Sequence, residues 1–86
     1  MTVEEILLDN GYEGIMTFGG PDYEDALIGI SEDNRAIYDY DLMIESLMDH
    51  DGMTYEEAID WIDYNTIRSL PYAGNSAPII MYRLER

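Results

Sequence analysis

The chain has 86 residues, 47 % of them apolar; 19 are acidic, four are arginine and none is lysine or cysteine, so its formal charge is −15. A chain this short buries only about 60–65 % of its unfolded surface, which makes residues 1–86 one domain. The lack of cysteine excludes disulfides, thiolate metal sites and thiol nucleophiles, and a strongly negative field repels nucleic acid and anionic membrane while attracting basic protein surfaces.

In chain order, Thr2-Val3-Glu4-Glu5 is a capping-box pattern followed by apolar Val3, Ile6 and Leu7 at helical spacing, with Asn10-Gly11 as a stop. It predicts a first helix over about residues 2–9. A short apolar run at 15–18 reads as a brief strand, and Gly19-Gly20-Pro21-Asp22 carries turn chemistry. Ala26–Ile30 and Arg35–Tyr38 flank the polar connection Ser31–Asn34, in which Asn34 tolerates a positive φ, so a hairpin is expected there. Asp39 or Asp41 then caps a second helix with Tyr40, Ile44, Leu47 and Met48 on its apolar face and its end near Asp51-Gly52. Thr54-Tyr55-Glu56-Glu57 is another capping box, opening a third helix over about 54–66 with Tyr55, Ala58, Ile59 and Ile62 at helical spacing. Leu70–Asn75 breaks it, and Pro78–Leu84 reads as a last strand. The expected fold is therefore α+β: a small antiparallel sheet, made of the hairpin and the C-terminal strand with room for a fourth short strand at 15–18, packed against three helices. No apolar run approaches the ~20 residues that cross a bilayer.

Most chemistry-bearing motifs read as structure. Asp49-His50-Asp51-Gly52 resembles the start of a calcium loop, but its glycine falls at the fourth place rather than the sixth and Met53 occupies a ligand place, so a helix end is the better reading. His50 is the sole histidine, which excludes a multi-histidine zinc site and leaves one residue for any Ser-His pair. The two helices around Gly52 have helix-turn-helix lengths, yet the second offers Glu56, Glu57, Asp60 and Asp63 where a DNA reader carries bases. Trp61 is placed in the core, and most tyrosines are assigned to strand and core positions. Neither catalysis nor a cofactor is expected.

The carboxylate rows carry the functional expectation. Asp41, Glu45 and Asp49 are spaced i, i+4, i+8, and Glu56, Asp60 and Asp63 i, i+4, i+7, so each set lines one helix face with charges about 6 Å apart. Neither row has a basic partner one turn away, whereas a solvated helix face normally mixes its signs. Such rows imitate a phosphate backbone and suit a basic groove that holds nucleic acid.

The segment Trp61-Ile62-Asp63-Tyr64-Asn65-Thr66-Ile67-Arg68-Ser69-Leu70-Pro71-Tyr72, followed by Ala77-Pro78-Ile79-Ile80, resembles small acidic proteins of phages and prophages of Gram-positive gut bacteria. The likeness extends back through Gly52–Ala58 to the hairpin, about residues 26–84. It implies a mobile-element origin and a bacterial cytoplasmic setting; it assigns no functional residue. Small acidic phage proteins include inhibitors of host defence, anti-CRISPR proteins and DNA mimics among them, a likeness of class rather than of motif. The expected function is accordingly inhibition of a host nucleic-acid-binding enzyme through Asp41, Glu45, Asp49, Glu56, Asp60 and Asp63. The alternative is a non-catalytic phage accessory or assembly protein that binds a phage or host protein through the hairpin edge and the arginine-bearing C-terminal segment. Direct nucleic-acid and membrane binding are not expected, and the oligomeric state is left open.

Overall fold

The Thr2 hydroxyl accepts from Glu5 N–H while Glu5 Oε1 accepts from Thr2 N–H, and this reciprocal cap starts α1, Val3–Asp9. At its end Gly11, with φ of 86°, lets Tyr12 N–H return to the Leu7 carbonyl and its own N–H to that of Leu8, a Schellman closure. The helix buries Val3 and Leu7 and leaves Ile6 on its outer side. These features belong to a computed structural model of the chain, which describes residues 2–18 and 23–85. The expected turn at Gly19–Asp22 lies outside the described residues.

Residues 15–18 form no strand. Ile15 and Phe18 pack against the core instead, Phe18 meeting the Tyr23 ring edge-on at 5.6 Å and the Tyr38 ring at 4.7 Å. A segment that plugs the core with its apolar side chains takes no place in the sheet. A 3-10 turn at Glu24–Ala26 leads into β1, Leu27–Ile30, and the hairpin returns through β2, Ala36–Asp39. Asn34 adopts φ of 62°, as its small polar side chain allows, and Ser31 Oγ accepts from Arg35 N–H at 3.0 Å to close the turn.

α2, Tyr40–Asp51, is capped by Asp39, whose Oδ1 accepts from the N–H groups of Asp41 and Leu42, and it ends on Gly52 at φ of 68°. Its buried residues are Met43, Ile44, Ser46 and Leu47; Met48, expected inside, is exposed. The helix is covered on two sides, by the turn at 24–26 as well as by α3, and this draws Met43 and Ser46 inward and turns Met48 out. α3 spans Tyr55–Trp61 and opens on the Thr54–Glu57 capping box. The helix expected to run to 66 instead loosens into a π turn at Ile62–Thr66 and tightens into 3-10 geometry over Ile67–Ser76, with Gly74 as the kink. Thr66 is buried at this change of pitch and its hydroxyl bonds the Tyr23 hydroxyl at 2.9 Å, a contact across 43 positions.

β3 is Ile79–Met81, shorter than the expected Pro78–Leu84. The sheet has the order β1-β2-β3; β1 and β2 are antiparallel, but β2 and β3 run parallel, so the small sheet is mixed rather than antiparallel. Parallel pairing needs a long crossover, and the chain supplies one between β2 and β3 through α2, α3 and the 3-10 segment. Two arginines fasten β3 at its flanks. Arg35 Nε donates to the Ala77 carbonyl before it and Arg83 Nε to Asp39 Oδ2 after it, each at 2.8 Å. The core lies between sheet and helices, with Tyr38, Met43, Leu47 and Ile62 its largest fully buried side chains. Among the described residues no helix is long and apolar enough to cross a membrane.

Candidate functional site

Burial of Met43, Ile44 and Leu47 on α2 and of Ala58 and Ile62 on α3 leaves the opposite sides of both helices to solvent. All six carboxylates of the two rows, Asp41, Glu45, Asp49, Glu56, Asp60 and Asp63, are exposed there. The helices are joined through Gly52–Thr54, and Asp63, in the π turn that follows α3, acts on the Tyr40 phenol, one residue before Asp41. Burial first, and then the Asp63 charge, hold the Tyr40 phenol above its usual pKa. The Tyr40 ring also meets the Tyr82 ring at 4.9 Å, tilted by 41°, closing this end of the surface with an aromatic contact.

The rows are less uncompensated than their spacing alone indicates. Arg83, which follows β3, reaches the first turn of α2, where Nε lies 2.8 Å from Asp39 Oδ2 and 3.8 Å from Asp41 Oδ2. The hydrogen bond to Asp39 and its charge, and more weakly Asp41 and Glu45, raise the Arg83 pKa above its normal range. Asp39 itself is buried, and its two oxygens are satisfied by the helix amides and this guanidinium. Glu45, Asp49, Glu56, Asp60 and Asp63 make no ion pair among the described residues. Elsewhere on the surface, His50 Nε2 lies 3.7 Å from Asp25 Oδ2 at the end of α2.

Beside the α3 row lies an open groove of about 580 Å3, lined by the apolar and aromatic Met53, Trp61 and Tyr64, by the carboxylates of Glu57, Asp60 and Asp63, and by Asn65 and Arg68. Trp61, expected in the core, is 44 % exposed here. Ala58 and Ile62 take the inward positions of α3, and a residue one step before Ile62 is turned about 100° off that face. The polar neighbours Glu57, Asp60 and Tyr64 are the sequence signal for that exposure. Tyr55, Tyr64, Tyr72 and Tyr82 are exposed as well, so half of the eight tyrosines are at the surface rather than in strand or core positions. Arg68, one turn beyond Tyr64, holds its guanidinium carbon 4.6 Å from that ring's centroid, where a cation meets the negative face of the ring. The Glu57 carboxylate, kept below the ordinary range by its Thr54 hydrogen bonds, remains charged into acid.

These groups present negative charge beside exposed aromatic surface, which is the chemistry of a binding face. Among the described residues no group of three His, Asp or Glu side chains is arranged to hold a metal ion. No family model matches the chain. No curated protein and no solved structure matches it.

Proposed function

We propose that the protein is a non-catalytic binding protein whose acidic helices α2 and α3 occupy a basic, nucleic-acid-holding groove on a host defence enzyme, in the manner of an anti-CRISPR protein or other DNA mimic. The observation that carries this reading is that five carboxylates in two helical rows, Glu45, Asp49, Glu56, Asp60 and Asp63, stand exposed with no ion-pair partner among the described residues. Like charges one turn apart destabilise a helix by a few tenths of a kcal/mol each. Their placement costs fold stability and suits a surface that gains on meeting positive charge, where complementary fields accelerate association. The Arg83 contacts limit the mimicking surface to the part of α2 beyond Asp41, to α3 and to the π turn that carries Asp63.

The test is capture from a host lysate followed by association kinetics with the captured protein. The quadruple change Glu45→Gln, Asp49→Asn, Glu56→Gln and Asp60→Asn retains shape, and exposed substitutions usually shift stability by less than about 0.5 kcal/mol each. The variant should lose affinity mainly through a slower on-rate, and the wild type should compete with nucleic acid and weaken steeply with salt. Unchanged binding by the variant, or simultaneous binding of nucleic acid, would refute the phosphate-mimic reading.

One observation favours the accessory-protein alternative. β1 is an outer strand of the sheet, and beside it Ile6, Leu7, Ile28 and Ile30 line a cleft of about 300 Å3. Capture of a phage protein through that edge, insensitive to the quadruple change, would place this reading ahead.

A further inference from the structure

We infer that the groove beside Trp61 receives an arginine side chain of the basic partner, an inference that rests on the partner's being basic but not on phosphate mimicry. Three features meet there. The indole of Trp61 is 44 % exposed on an acidic helix face, and Trp is the aromatic ring that attracts cations best. Carboxylates of Glu57, Asp60 and Asp63 edge the same groove against the lone positive charge of Arg68, leaving it two negative charges in excess. Its volume of about 580 Å3 falls within the roughly 300–1,000 Å3 typical of ligand sites, and Met53, Trp61 and Tyr64 give it apolar lining.

Guanidinium rather than ammonium fits this combination. It is planar, weakly hydrated and able to stack on an aromatic face while its edge donates to a carboxylate, whereas a lysine ammonium is a compact, strongly hydrated point charge. The groove already contains one example of the pairing, for Arg68 covers the Tyr64 ring at 4.6 Å. Among the described residues no cation covers Trp61. An incoming arginine would repeat the intramolecular stack on the adjacent ring, with the Asp60 carboxylate one residue away in sequence. A half-exposed tryptophan surrounded by charge also has the character of a binding hot spot, where Trp, Tyr and Arg dominate.

Nona-arginine and nona-lysine peptides at low ionic strength serve as probes, with calorimetry for affinity and the emission of Trp61, the sole tryptophan, for location. Both peptides should bind the acidic surface. Nona-arginine should bind about five- to tenfold tighter, and it alone should shift the emission of Trp61 and the indole N–H resonance. Trp61→Leu should bring the two affinities within about twofold of each other. Glu45→Gln with Asp49→Asn, outside the groove, should weaken both peptides alike and preserve the arginine preference. Equal affinities with an unmoved indole resonance, or an arginine preference that survives Trp61→Leu, would overturn the groove assignment and leave the basic-partner reading standing. The resonance measurement uses the unaltered protein and so decides the matter even should the variant fold poorly. Failure of both peptides to bind would overturn the basic-partner reading and this inference with it.

Discussion

Tyr38 stands in the central strand with its ring fully buried, and its hydroxyl accepts from the Phe18 N–H at 3.3 Å. Burial above all, and the nearby Glu24 carboxylate, raise its pKa above the ordinary value of 10.0, although the Phe18 N–H opposes them. The unfolded chain therefore ionises this phenol first as pH rises. Its contribution to stability is complete below pH of about 10 and is lost as pH climbs from there through the folded-state value. Tyr38→Phe should cost about 1 kcal/mol at neutral pH through the lost hydrogen bond. It should also flatten the alkaline decline, the wild-type and variant curves converging above pH of about 10. Urea denaturation across that range measures both effects. That Tyr38 belongs to a strand was legible from the two apolar runs that flank the polar connection Ser31–Asn34; that its hydroxyl meets Phe18, 20 residues earlier, was not, because the pairing depends on how the 15–18 segment returns to the core.

Elements in this chain begin and end where short-range chemistry dictates, and Asp39 shows how one such end acquires a second task. As the last residue of β2 it caps α2, and it also receives Arg83 from beyond β3. Asp39→Asn keeps the cap and loses the charged partner, so the expected cost is about 1 kcal/mol; Asp39→Ala loses both, at about 2–3 kcal/mol. Hydrogen exchange at β3 should accelerate in the alanine variant and less in the asparagine variant. Equal costs for the two would mean that Arg83 contributes nothing to holding the C-terminal segment. Both capping boxes and the Gly11 and Gly52 stops were legible, since each rests on residues within one turn of one another. The loosening of α3 at Ile62–Thr66 was not, for it occurs where Thr66 is held by Tyr23, far away in sequence.

Across the whole molecule, a formal charge of −15 is set against few ion pairs: those of Arg35 and Arg83 among the described residues. Of these only Arg83–Asp39 engages a buried carboxylate; the exposed pairs contribute about 0–1 kcal/mol each, so the general repulsion is left largely unopposed. Adding salt shortens the Debye length from about 30 Å at 0.01 M to about 10 Å at 0.1 M and should raise the melting temperature. A flat or falling profile in a thermal scan would show that the arginine pairs, Arg83 with Asp39 above all, dominate the electrostatics.

Composition, caps and periodicity determined by themselves the α+β class, the starts of the first and third helices, the hairpin with its left-handed Asn34 and the exposure of Glu45, Asp49, Glu56 and Asp60, because each depends on contacts within a few residues or on the polarity of one helix face. Tertiary structure decided what distant segments share. It made the sheet mixed by returning β3 through a long crossover, drew Met43 rather than Met48 into the core by covering α2 from two sides, brought Arg83 to the N-terminal end of the α2 row, and left Trp61 outside because Ala58 and Ile62 fill the inward face of α3. A single helix period states which residues lie on one side of a helix; the neighbours that pack against it select the side that is buried.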